Sequence, residues 1–101
     1  MVIQELTINR NQVQVALSGS IYVENVAEIL DRFNRLIDKG HTTFIVDLSL
    51  VDYIDSAGLG TLIAIHKRAR SLSGGLMIKG QKGLIKELLE LTRIDKVLAV
   101  E

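Results

Sequence analysis

The chain has 101 residues, with 12 Lys plus Arg against 12 Asp plus Glu, no cysteine, and hydrophobic residues making up 48%. That length is one domain, 1–101, with a modest core. The zero formal charge argues against nucleic-acid partners and anionic membranes, and the lack of cysteine excludes disulfides, thiolate metal sites and a cysteine nucleophile.

Residues 2–8 read as a strand. Val13, Val15 and Leu17 alternate with Gln12, Gln14 and Ala16, which suits a second strand with one buried face. Asn9-Arg10-Asn11 is turn chemistry, so the two strands make a hairpin. Gly19-Ser20-Ile21-Tyr22 forms a link. From Asn25 the apolar residues Val26, Ile29, Leu30, Phe33 and Ile37 recur at helical spacing, with Asn25 and Glu28 set as a capping box and Gly40 at the C-cap. A central strand over 43–48 is expected to be buried on both faces, followed by a turn-like segment. The next helix runs from Ser56 to about Leu72, with Gly74-Gly75 as its stop. Leu76, Met77 and Ile78 form a short strand, Leu84, Leu88 and Leu91 mark a last helix from Gly83, and 97–100 is a terminal strand. This alternation predicts an α/β sheet with parallel central strands.

The junction Asp55-Ser56-Ala57-Gly58-Leu59-Gly60 breaks a local rule. Ser56 is a good N-cap, yet Gly58 and Gly60 fall in the first two turns, where each costs roughly 1 kcal/mol relative to alanine. With Leu59, Leu62, Ile63, His66 and Ala69 on the core side, Ala57, Gly60, Thr61 and Ala64 project opposite, leaving a bare face open to another backbone. The plain alternative stands beside it: Ser56 only caps, and the glycines relieve crowding against the sheet.

Asp-Ser-Ala-Gly-Leu-Gly after an apolar strand, with Lys67 to Ala69 closing the helix, resembles the signature of the STAS domain, above all the bacterial anti-sigma factor antagonists. Leu17-Ser18-Gly19, Val46-Asp47-Leu48 and the run from Leu91 to Val97 extend the likeness over nearly the whole chain. The resemblance implies a small mixed, largely parallel sheet with helices packed mainly on one side, usually followed by one more helix. It implies that Ser56 is phosphorylated by an anti-sigma factor serine kinase that the unphosphorylated chain binds, and that a serine phosphatase restores it. The family's early loop often reads Gly-Glu-Leu-Asp, so Tyr22 of Gly19-Ser20-Ile21-Tyr22 stands where an acidic residue faces the kinase. Tyr22, Asp55, Ala57, Gly58, Gly60, Thr61 and Ala64 are therefore the expected partner-binding residues around Ser56. A docking subunit of a membrane transporter complex or of a stress-signalling assembly is the alternative within the family.

Other chemistry has weaker support. Asp47, Asp52 and Asp55 are three carboxylates near the end of the central strand, as a metal-dependent phosphoryl-transfer enzyme would need, but a receiver-like acidic pair and lysine are lacking. Gly58 and Gly60 lack the third glycine of a dinucleotide site. His66 is expected to be a half-buried packing residue, Tyr53 a loop anchor, and Lys67 and Arg68 a solvated helix side. The chain is thus expected to be a cytoplasmic, non-catalytic regulator without cofactor or metal and without direct membrane insertion; a weak homodimer is compatible with it.

Overall fold

Strands β1 (Val2–Thr7) and β2 (Gln12–Ile21) form the expected antiparallel hairpin, with Ile3 opposite Leu17 and Thr7 opposite Val13. The computed structural model describes residues 1–9 and 11–100. Asn9 holds the turn, its Oδ1 accepting from the N–H groups of Asn11 and Gln12 at 3.0 Å each.

The central strand is twice as long as its sequence pattern suggests. β3 spans Thr43–Ile54 rather than ending at Leu48, and β2 runs through the predicted link to Ile21. The two pair in parallel from Gln12 opposite Thr43 to Ile21 opposite Ile54, with register shifts between Ala16 and Ser18 and between Gly19 and Ser20. Each shift puts an extra residue on β3, so the period-two burial of Phe44, Val46 and Leu48 slips to Val51 and then Ile54. A bulge erases the alternation by which a strand is recognised in sequence, and Gly19 at φ +87° accommodates one of them.

Helix α1 (Val26–Asp38) buries Ile29, Phe33, Leu36 and Ile37. Its predicted capping box does not form: Asn25 Oδ1 instead accepts from the Tyr22 N–H at 2.8 Å, closing a 3-10 turn over Val23–Asn25. At the other end Gly40, at φ +95°, is the left-handed cap as expected, with Gly40 N–H donating to Ile37 O and His41 N–H to Leu36 O. The Phe33 ring meets Phe44 edge-on at 5.1 Å, joining α1 to the sheet.

β4 (Gly75–Lys79) and the short β5 (Ala99–Val100) complete a five-stranded sheet of order β1-β2-β3-β4-β5, parallel except for the first pair. α1, α2 (Ser56–Ser71) and α3 (Gly83–Leu91) cover the face carrying Phe44, Val46, Leu76 and Ile78, which leaves Gln14, Ile45 and Met77 on the other face half-buried or exposed. α3 lies where predicted but is turned differently: Ile85 and Leu89 are buried, while Leu84 and Leu91 face solvent.

α2 ends by an unexpected device. Its left-handed residue is Ser73, at φ 68°, not a glycine, with Ser73 N–H donating to Arg70 O and Gly74 N–H to Ala69 O. Gly74 is required for space instead, since a Cβ there would lie 1.8 Å from the Thr42 carbonyl oxygen. Ser73→Gly is therefore expected to raise stability by up to about 1 kcal/mol, read as a higher melting midpoint, because it relieves a side chain held in a region that only glycine adopts freely.

Candidate functional site around Ser56

One carboxylate builds the junction between β3 and α2. Asp55 continues the sheet, its N–H donating to Ile21 O at 3.1 Å, and its own carbonyl accepts the first helical bond from Leu59 N–H at 3.0 Å. Its Oδ1 then accepts from Gly58 N–H at 2.9 Å, so Asp55, not Ser56, is the N-cap. The second oxygen, Oδ2, accepts from Val23 N–H at 3.0 Å, pinning the turn after β2 against the helix start.

Ser56 thus occupies the first helical position with its hydroxyl exposed and not used for capping. Tyr22, the residue before the Val23 held by Asp55, is 44% exposed, with its ring centroid 5.8 Å from that of Tyr53. Tyr53 is a strand residue opposite Ser20, not the loop anchor expected.

The bare face of α2 is narrower than the sequence projection. Ser56, Gly60 and Ala64 are exposed in a line continued by Lys67, and Ala57 is half-buried. Thr61 belongs to the interior: it is 6% exposed and its Oγ1 donates to Ala57 O at 2.7 Å. Gly58 is buried too, and a Cβ on it would lie 2.7 Å from Ile54 Cγ1 and 2.9 Å from Ile21 Cγ2. A Cβ on Gly60 would meet nothing within 4 Å. The two glycines therefore do different jobs, one letting the helix approach the sheet and the other facing solvent. The buried stripe of Gly58, Leu59, Thr61, Leu62, Ile65 and Ala69 is wider than predicted because α2 packs against α1 as well as the sheet. Arg68 reaches across to α1, donating to Asn34 and pairing with Asp38 at 3.4 Å, while Lys67 stays exposed.

The aspartates do not form a shared centre. Asp47 Oδ1 accepts from Ser49 N–H at 2.9 Å, Asp55 is spent on the two backbone amides, and Asp52 is exposed. Among the described residues no group of three His, Cys, Asp or Glu could hold a metal ion. Burial alone would raise the Asp47 carboxyl, but the Ser49 N–H and hydroxyl and the Lys79 charge outweigh it and hold it below the usual carboxylate value.

His66 is half-buried on the far part of α2, and its Nδ1 accepts from Leu76 N–H at 3.0 Å. Burial first, then the positive charge of Arg70, lowers its pKa below 6.5. A base with a depressed folded pKa contributes stability that is complete above the unfolded value and is lost as pH falls through the folded one. Stability to urea is therefore expected to drop as the pH is taken from about 7.5 to about 5, and His66→Gln should flatten that drop. An equal slope in the variant would assign the dependence to other groups.

Sequence reasoning missed Asp55 as the cap because Asp55 and Ser56 are adjacent and both are good capping residues. What decides between them is the Val23 amide, 32 residues away.

Known proteins resemble this chain in sequence and in fold. BtrV of Bordetella bronchiseptica is 29% identical over 84 residues, 83% of this chain and 72% of that protein. The anti-sigma-B factor antagonist of Bacillus subtilis is 25% identical over 92 residues, covering 91% of this chain and 84% of the other. The solved structure of the Bacillus cell fate determinant SpoIIAA in its phosphorylated form superposes with a TM-score of 0.78 at 17% identity, covering 99% of this chain and 91% of that one. The unphosphorylated form of the anti-sigma factor antagonist SpoIIAA gives 0.74 at 20% identity, over 95% of this chain and 97% of that one. No helix among the described residues is long and apolar enough to cross a membrane. The match to the STAS domain runs over residues 4–101, and the chain belongs to that family.

Proposed function

We propose that this chain is an anti-sigma factor antagonist whose switch is Ser56. Unphosphorylated, it binds an anti-sigma factor serine kinase in the cytoplasm and so frees a sigma factor; phosphorylated, it releases the kinase, and a serine phosphatase resets it. ATP belongs to the kinase, and the chain's own role is regulatory rather than catalytic. The observation that carries this reading is the exposed Ser56 hydroxyl in the first turn of α2, left unused because Asp55 does the capping. The role that relatives carry in their names points the same way.

The physics suits a switch that keeps the fold. A helix N-terminus presents free N–H groups and about half a positive charge, so it tolerates a phosphate there. The phosphate adds roughly 1.5 to 2 negative charges to a surface whose partner contacts are set by Tyr22, Asp55, Ala57, Gly60 and Ala64. Gly58 and Thr61, being buried, support that surface from beneath. Incubation with ATP and the cognate kinase should add the mass of one phosphate to the chain and none to Ser56→Ala. A phosphate that persists on Ser56→Ala would move the switch elsewhere.

One observation favours a second reading. The Tyr22 and Tyr53 rings, with Val23 at 60% exposure, make an apolar surface where the family often has an acid, which fits lasting attachment as a docking subunit of a transporter complex or stress-signalling assembly. A partner that co-purifies equally before and after phosphorylation would select it.

A further inference from the structure

A cavity lies at the opposite end of the sheet from Ser56, where the parallel strands begin. It has a volume of about 550 Å³ and is open between the end of α2, the start of β4 and the segment leading into β5. That size is within the range of small-molecule sites. Its accessible apolar lining comes from Met77 and Val97, above the buried Phe44, Leu76 and Leu98.

Its charged side chains are of one sign. His66, Arg70 and Lys96 line the cavity, and none of the described residues around it is an aspartate or glutamate. The ion pairs among the described residues use Arg32, Arg35 and Arg68, which leaves Arg70 and Lys96 without a carboxylate partner among them. Arg70 makes only a long contact, Nη1 to Gly74 O at 3.4 Å. His66 Nδ1 is occupied by the Leu76 N–H, so the neutral ring carries its proton on Nε2, which is a donor. The lowered His66 pKa has the neighbouring Arg70 charge among its causes, as expected for cations gathered without a counter-ion.

Of the two glycines at the rim, Gly75 borders this space, whereas Gly74 makes room for the Thr42 carbonyl. With Ser73 as the left-handed residue, neither Gly74 nor Gly75 is needed for a positive φ. A Cβ on Gly75 would sit 3.2 Å from Arg70 Cδ and 3.5 Å from His66 Cε1, pressing on the cationic wall of the cavity.

We propose that this cavity binds a small organic anion with an apolar body, its carboxylate or other acidic head held by Arg70, Lys96 and the His66 Nε2–H, and its body laid on Met77 and Val97. Guanidinium and ammonium groups supply the charge-assisted hydrogen bonds, and the apolar wall supplies area that a bare ion does not use. The site is separate from the Ser56 surface, so its existence does not depend on the phosphoswitch.

Titration of the folded chain with octanoate, octan-1-ol and acetate, followed by amide chemical shifts in solution NMR, tests it. Octanoate should give saturable shifts at Gly75, Leu76 and Leu98, with affinity at least about tenfold above both octan-1-ol, which lacks the charge, and acetate, which lacks the body. The Arg70→Gln/Lys96→Gln double variant, with an unchanged melting midpoint, should lose that preference over octan-1-ol. Equal binding of octanoate and octan-1-ol would reduce the cavity to an apolar groove, and equal binding of octanoate and acetate to a patch of surface charge. Either result, or shifts that fail to saturate or centre elsewhere, overturns the proposal.

Discussion

Ser56→Asp is expected to fold at least as well as the natural chain and to bind the partner kinase about a thousandfold more weakly, while Ser56→Ala binds it constitutively. The stability half follows from the cap. Because Asp55 accepts the Gly58 N–H, removing the Ser56 hydroxyl does not remove the helix cap, and the loss should stay within about 0.5 kcal/mol rather than the 0.5–2 kcal/mol of a lost cap. An aspartate in the first turn gains roughly 0.3–1 kcal/mol from the helix dipole. The binding half is electrostatic. An acidic partner group within about 4 Å of the new charge, at an effective dielectric near 20, gives repulsion on the order of 4 kcal/mol, which is about three decades in affinity. Calorimetry of the two variants with the kinase measures it, and the penalty should shrink as salt is raised. Equal affinities would sink the phosphoswitch.

The second large effect separates two glycines two residues apart. Gly58→Ala should lower the melting midpoint, since its Cβ drives into Ile54 and Ile21, both almost wholly buried and unable to move aside. Overpacking of this kind costs about 1–3 kcal/mol, more than the roughly 1 kcal/mol of helix propensity that alanine returns. Gly60→Ala meets open space and keeps the propensity gain, so its midpoint should rise by about 4–8 °C for each kcal/mol gained in a domain of this size. Gly60→Gln should leave the free domain as stable as before and weaken partner binding by about 1–3 kcal/mol, because its side chain stands on the proposed docking face. Thermal melts of the free variants beside pull-downs at low temperature distinguish the two roles. A destabilised Gly60→Gln that still binds when folded would remove this face from the interface.

The contrast between Gly58 and Gly60 also shows where sequence reading stops. Both break the same helix-propensity rule and look alike in the chain, because propensity is a property of the helix alone. Which one faces Ile21 and Ile54 depends on how α2 lies on the sheet, and that is fixed by contacts outside the helix. Thr61 went to the wrong side for the same reason: a helix packed on both a sheet and another helix buries a wider arc than one stripe of large apolar residues reveals, and a threonine fits inside once its hydroxyl finds the Ala57 carbonyl.

By itself the sequence determined the order of strands and helices, the parallel central strands, the Gly40 cap and the placement of Ser56 at a strand-to-helix junction, because each rests on a local period or a local backbone need. Only the tertiary structure decided the full length of β2 and β3, the identity of the cap and the company of Tyr22. Bulges abolish the alternation by which a strand is read, and Asp55 outranks Ser56 as the cap because its second oxygen is claimed by an amide on another element. Such long-range pairings leave no period in the chain, so only the folded sheet brings them together.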